Sequence, residues 1–366
     1  MNYITITLPF NACSVSARLL LSTARLFRIA VLKVYKKLLE DNVKYISPIM
    51  LKKYYRSLAY GIIPNRRYAD GALALIWSVY ESCEALGIPF NQIEWKNWLM
   101  FQQTEKEFPC RNITLRKNYD VGVSTISFNG GKEKVELKPI IPTNYMRLIN
   151  YIIEKRIPYT GRVVLRGYGE RKGILRVNGR INLTIPYNAY LEVMKGFKRN
   201  YGKLYGGIDV NMDRINLAII DGKGKLRDTY TFWFREVTAR GYPRRRARSV
   251  IGMRVHEMLR YAFYHGVKVL FLENYSVLGR LKLLWIRNGR RLHRNYNWKV
   301  MTFRSRIIEM IAMKTPLYTI NIEYIDPKGT TRSKEHDEVM RKYGLDRHTA
   351  SAYIIALRGM ERYRMI

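Results

Sequence analysis

Apolar and polar side chains alternate through residues 3–9, the two-residue period of a strand. The period then lengthens. Leu20, Ala24, Phe27, Val31, Val34 and Leu38 recur at steps of four and three, which predicts one long helix ending near Asp41. A second helix is expected from Ser47-Pro48, where Ser caps and Pro sits in the first turn. A third runs over about 67–86 and stops at Gly87. From Asn112 alternation returns at 112–116, 121–128 and 134–138, with Asn129-Gly-Gly as a hairpin signal. A short helix near 145–153 precedes further alternating runs at 161–166, 173–177 and 180–185.

Residues 187–203 set Leu191, Val193, Met194, Phe197 and Tyr201 among Lys195, Lys198, Arg199 and Lys203, which reads as a basic helix. The next stretch organises the second half. Gly206-Gly-Ile-Asp-Val-Asn-Met-Asp-Arg-Ile-Asn-Leu-Ala-Ile-Ile-Asp221, followed by Gly-Lys-Gly-Lys, reads as a β-hairpin with Asp209 inside its first strand. A lone carboxylate is costly there, because burying an unpaired charge takes several kcal/mol or shifts its pKa. A third strand is expected at 226–234. A helix then begins in Tyr242-Pro-Arg-Arg-Arg-Ala-Arg248, with Ile251, Val255, Met258, Leu259 and Ala262 as its apolar stripe. Residues 267–273 form another apolar strand, closed by Glu273. After a helix over 297–312 and a strand over 318–325, Asp346 opens a helix that is apolar almost all round. Asp is also a preferred helix cap, so Asp346 has a structural reading beside a functional one.

Strand centre, strand end and helix start are positions from which the RNase H-like fold gathers acids. Three carboxylates at one point repel, so the arrangement makes sense around hard cations with oxygen ligands. The Gly-Ile-Asp strand, the Phe-Leu-Glu273-Asn-Tyr-Ser segment and Leu-Asp346-Arg-His-Thr-Ala-Ser-Ala-Tyr resemble the RuvC-type nuclease core of the TnpB (OrfB-type) family. The members are transposon-encoded, RNA-guided DNA nucleases. The resemblance covers about residues 200–366 by motif, and the first half by architecture alone.

The resemblance implies an α/β RNase H-like (RuvC) nuclease domain at 205–366 and a linker helix at 187–204. It also implies an N-terminal β-barrel (wedge) of residues 1–10 and 111–186, interrupted by a helical recognition subdomain at 11–110. Asp209, Glu273 and Asp346 would be both the catalytic residues and the metal ligands, holding two Mg²⁺ (or Mn²⁺) ions. The partners implied are a guide RNA and target DNA. The family pattern is broken at one place: the paired CxxC motifs of a zinc ribbon are missing. No cysteine follows Cys110, and His336 and His348 cannot complete a four-ligand site, so no zinc is expected. A charged helix or loop, Lys-Glu-His-Asp-Glu-Val-Met-Arg-Lys, stands in its place. Two other readings stay open: a guided binding protein that does not cut, and a RuvC-like nuclease without a guide.

Composition sharpens the partner. With 65 Lys+Arg against 29 Asp+Glu the chain carries a formal +36, which calls for a polyanion. No apolar run reaches the roughly 20 residues of a spanning helix, and arginines interrupt Leu19-Leu-Leu-Ser-Thr-Ala at helical intervals. Cys13, Cys83 and Cys110 lack paired spacing, as suits a reducing compartment, and a cytoplasmic, nucleoid-associated place in a prokaryotic or archaeal host is expected. Candidate nucleic-acid contacts are Lys52, Lys53 and Arg56 on the second helix, and Arg244, Arg245, Arg246 and Arg248 where residue 243 gives way to helix. Arg280, Lys282, Arg287, Arg290, Arg291 and Arg294 interleave with Trp285, Tyr296 and Trp298 in a loop suited to an unpaired strand.

Overall fold

The computed structural model describes residues 3–86, 88–196, 200–239, 241–273, 284–286, 306–325 and 334–364. In chain order the first half contributes β1 (Tyr3–Cys13), α1 (Ser14–Glu40), α2 (Pro48–Ile62), α3 (Arg66–Leu86), β2 (Ile93–Trp95) and β3 (Leu99–Gln102). It continues with β4 (Ile113–Leu115), β5 (Val121–Ile126), β6 (Lys132–Leu137), α4 (Thr143–Glu154), β7 (Thr160–Arg171), β8 (Ile174–Pro186) and α5 (Tyr187–Met194). The second half contributes β9 (Leu204–Val210), β10 (Arg214–Ile220), β11 (Leu226–Trp233), α6 (Arg244–Tyr264), β12 (Val267–Glu273) and β13 (Leu284–Ile286). A helix described at 306–314 is α7, and β14 (Asn321–Ile325), α8 (Lys334–Tyr343) and α9 (Arg347–Arg364) end the chain. Two compact units result: Tyr3–Val193 with Arg280–Gly289, and Met194–Gly279 with Arg290–Ile366.

In the first unit the helical periodicities become α1, α2 and α3. Ser47 caps α2 by accepting the Met50 N–H at 3.2 Å. The strands form two antiparallel ladders, β1-β8-β7-β3 and β4-β5-β6. Among the described residues these do not close into the expected barrel. Instead α1 packs against strands of both ladders, β1, β3 and β8 of one and β5 and β6 of the other. Thr23, fully buried in α1, accepts the Ile126 N–H at 2.8 Å, so a side chain satisfies the end of β5. The expected helical stretch 11–110 is helical only to Leu86, since β2 and β3 follow, and β3 pairs with β7. The runs at 173–177 and 180–185 prove to be one strand, β8: Gly179 passes where a Cβ would meet the Phe10 ring at 2.6 Å. Far along the chain, β13 pairs antiparallel with β2, so three residues of the expected loop at 279–296 are strand.

The second unit is a five-stranded sheet in the order β11-β10-β9-β12-β14. β11, β10 and β9 are antiparallel to their neighbours, while β9, β12 and β14 run parallel. That is the RNase H-like order, three strands of meander followed by two that return in parallel. β10 and β12 are buried along nearly their whole length, as strands covered on both faces must be. The α6 stripe Ile251, Val255, Met258, Leu259 and Ala262 is buried, as its spacing requires. The basic helix expected over 187–203 ends at Met194. Gly196 instead donates to the Pro316 carbonyl at 2.8 Å, and the Asn200 side chain holds Val267 O and Gly202 N. The strand expected at 318–325 starts at Asn321, after a 3-10 turn over Thr315–Tyr318. Among the described residues no helix is long and apolar enough to cross a membrane.

What sets the packing is α9 on β9. A Cβ added to Gly207 would lie 2.1 Å from Ala352 O and 2.4 Å from Ala356 N, so the helix backbone rests directly on the strand. One turn further, Gly359 lies so close that a Cβ would fall 2.1 Å from the Phe271 ring. Backbone cannot yield as a flexible side-chain tip can. Gly207→Ala therefore lowers stability by about 3 kcal/mol or more, at or beyond the upper end of overpacking costs. Gly169→Ala, where nothing lies within 4 Å, serves as the control in denaturant unfolding of the full chain.

Candidate active site

Asp209 occupies the next-to-last position of β9 and is 4% exposed. Glu273 closes β12 and is 5% exposed. Leu272 is the ladder partner of Ile208 in the parallel pair, so Glu273 stands one position on, beside Asp209 and on the same face. That face is the one Gly207 presents to α9. Asp346 precedes α9 and caps it: Oδ1 accepts the N–H of His348 at 2.9 Å and of Thr349 at 3.3 Å, and Oδ2 accepts the Thr349 hydroxyl. Partial desolvation opposes the charge of Asp346, yet the Thr349 hydroxyl and the two backbone N–H groups outweigh it and hold its carboxyl below the usual range.

The structure adds four residues that the sequence did not assign to this site. His348 Nδ1 lies 3.0 Å from Asp209 Oδ2, and Asn211 Nδ2 lies 2.8 Å from the same oxygen and 3.0 Å from His348 Nδ1. An ionised carboxylate only accepts, so with Asp209 ionised the proton of His348 sits on Nδ1. Asn216, ladder partner of Asp209, donates to Thr231 Oγ1 at 2.9 Å and to Thr349 Oγ1 at 3.1 Å. Asn211 could have been found from its spacing: two residues on from Asp209 and one past the end of β9, it can reach back to the same carboxylate. Asn216 and Thr349 required the register and the helix position. His336, by contrast, is 2% exposed and bonds Arg347 O and Ser351 Oγ, joining α8 to the first turn of α9.

Asp209 thus meets His348 directly, Asp346 reaches it through the His348 backbone, and Glu273 stands on the neighbouring strand. Among the described residues no three His, Cys, Asp or Glu side chains are grouped as a metal would need. The donors nevertheless suit a hard cation. Both hydrogen bonds to Asp209 fall on Oδ2, its Oδ1 takes none, and no Lys or Arg pairs with it among the described residues. Asn216 Oδ1 is buried without a donor among the described residues. A buried carboxylate and an orphaned amide oxygen on one face are what an oxygen-loving cation, or its water, would satisfy.

The chain matches the family model described as SSO2105 N-terminal domain over residues 3–195. It belongs to the SSO2105 family. A 55% identical uncharacterized protein of Aeropyrum pernix aligns over 100% of this chain and 99% of its own length. Uncharacterized protein SSO2105 of Saccharolobus solfataricus is 27% identical over 91% of this chain and 88% of its own. Among solved structures, a chain of the Cas12f1-sgRNA-target DNA complex shares 13% identity over 93% of this chain and 81% of that chain, at a TM-score of 0.45. Thermus thermophilus RuvC with a Holliday junction substrate shares 14% over 44% of this chain and 95% of that chain, at a TM-score of 0.31.

In this SSO2105-family chain the basic candidates divide. Lys52, Lys53, Arg245, Arg246 and Arg248 are exposed. Arg56 is not free for phosphate: its fork is spent on Asp70, at 2.7 and 3.1 Å, and Asp70 is 3% exposed, so the pair is a structural tie between α2 and α3. A buried partner 14 residues away is what its sequence context did not reveal. The side chain of Arg244 lies outside the described residues, as do Arg280, Lys282, Arg287, Arg290, Arg291 and Arg294.

Capping and ligation by Asp346 separate experimentally. Asn can accept the two backbone N–H groups as Asp does but not the Thr349 hydroxyl as well, so Asp346→Asn lowers the unfolding midpoint less than Asp346→Ala, which loses about 1 kcal/mol. If the carboxylate charge also serves chemistry, both variants lose activity equally, although the alanine variant loses more stability.

Proposed function

We propose that this chain is a metal-dependent nuclease whose carboxylates are Asp209, Glu273 and Asp346. The carrying observation is Asp209 itself: a buried acid at the end of the central strand, open at Oδ1, with Glu273 beside it in register. Mg²⁺ or Mn²⁺ held by these three would supply the positive charge that phosphodiester hydrolysis needs at the attacking and leaving oxygens. The chain's own residues do the positioning. Asn211 and His348 fix the Asp209 carboxylate through Oδ2, and the cap holds Asp346 against rotation. Surface charge holds the substrate: +36 favours a long polyanion over any small phosphate ester.

The finer reading is an RNA-guided DNA endonuclease of transposon origin, with guide pairing supplying sequence recognition. It is supported by the motif order Gly-Ile-Asp209, Leu-Glu273-Asn-Tyr and Leu-Asp346-Arg-His, and by a first unit larger than cutting alone requires. One observation favours a guided binding protein without cleavage: His348 Nδ1 lies 3.0 Å from Asp209 Oδ2, on the carboxylate a cation would need.

Asp209→Asn keeps the side-chain shape and removes the charge. Divalent-ion-dependent cutting of a single-stranded DNA falls about a hundredfold or more, the scale of losing one preorganised electrostatic contact. RNA that co-purifies with the full chain stays bound and, once sequenced, shows one recurrent guide-like species. Cutting unchanged by the substitution removes the carboxylate assignment, and absence of cutting in the unsubstituted protein leaves the binding reading. Random co-purified RNA with intact cutting indicates a guide-independent nuclease.

A further inference from the structure

Away from the carboxylates, the second unit carries an open cleft of about 500 Å³ between the edge strand β11 and the outer face of α6. On α6, Glu257, Arg260, Tyr261 and Tyr264 recur at steps of three, one and three and so line one side. Tyr230 and Trp233 come from β11. Two of these aromatics are open to solvent: Tyr230 is 50% exposed and Tyr264 71%. Beneath them Phe232 and Tyr261 form a firm floor, with Tyr230 tilted 4.7 Å from the Phe232 ring and 5.1 Å from Tyr261. Tyr261 is anchored in turn, its hydroxyl bonded to Asp228 and its ring stacked on His265 at 4.1 Å.

Charge surrounds these rings. The guanidinium groups of Arg214 and Arg235 lie over the Trp233 indole at 4.4 and 3.8 Å. Arg254 is paired with Glu257 at 2.7 Å, while Arg260 is exposed and makes no ion pair among the described residues. Exposed Arg245, Arg246 and Arg248 continue the positive surface along the same helix. Solvent-facing rings on a rigid aromatic floor, rimmed by guanidinium groups, suit a flat π-faced group attached to phosphate. A duplex hides its base faces; an unpaired strand offers them.

We propose that this cleft is a stacking subsite for an unpaired base of single-stranded DNA, with Tyr230 and Tyr264 as the stacking faces and Arg260 on the adjoining phosphate. Thr231 accepts from Asn216, the ladder partner of Asp209, on the acids' side of the sheet, while Tyr230 and Phe232 alternate to the other side, so cleft and acids lie on opposite faces at the edge strand β11. The choice of DNA over RNA rests on the nuclease reading above; the site itself does not.

The test uses the full chain in EDTA, so that binding is read without cutting. Fluorescence anisotropy compares a labelled dT12 oligonucleotide, the matching rU12 and a 12-base-pair duplex. Tyr264→Ala, at a position that leaves the core untouched, weakens dT12 by about 5- to 100-fold, the worth of one stacked base, and leaves duplex binding within twofold. Tyr264→Trp restores dT12 binding, which a merely structural loss does not allow. The proposal falls if dT12 affinity is unchanged, if duplex and dT12 weaken alike, or if only rU12 weakens. Asp209→Asn separates the two readings: it leaves dT12 binding intact, and its effect on cutting decides the carboxylate assignment alone.

Discussion

The contact of α9 with β9 at Gly207 is the constraint from which the carboxylate geometry follows. A helix normally packs on a sheet through the side chains that fill the space between them. Here Ala352 and Ala356 rest against a strand residue with no Cβ, and Gly359 clears the Phe271 ring. The start of the helix is thereby brought down to the level of the strand end. Asp346, His348 and Thr349 are then within reach of groups on β9 and β10, as the His348–Asp209 and Asn216–Thr349 bonds show. Every larger side chain at 207 would lift the helix and pull those groups apart.

The same contact explains what the sequence reveals and what it hides. The strands and helices of the second unit are legible because β10 and β12 are mostly apolar and α6 has a regular stripe. Asp209 and Glu273 stand out because acids are rare inside apolar strands, and Asp346 through the motif that surrounds it. Glycine at 207 leaves no periodic signal, so the helix-to-strand distance could not be read. Neither could the polar residues that depend on it: an asparagine inside a strand, such as Asn216, looks like a weak β-former until its ladder partner is known. In the first unit, alternation identifies the strands but not their closure. A buried threonine in α1 that replaces a strand neighbour for Ile126 has no signature in the pattern. Arg56 misleads for the opposite reason, since a basic side chain on an exposed-looking helix face carries no mark of the buried Asp70 it serves.

The polar chain through Asn216 is informative about purpose. Its amide nitrogen gives one hydrogen to Thr231 and one to Thr349, and the Thr349 hydroxyl passes its own to Asp346. Each donor is committed, so the direction of the chain is fixed and the amide cannot be turned over without taking a bond from Asp346. The arrangement leaves Asn216 Oδ1 buried with no donor among the described residues, a loss of about 1–3 kcal/mol. An apolar pair at 216 and 349 would join helix to sheet without that penalty. A structural staple has no need of it. A device that holds one carboxylate at the end of a sheet, with an unspent oxygen beside it for a water or a cation, does.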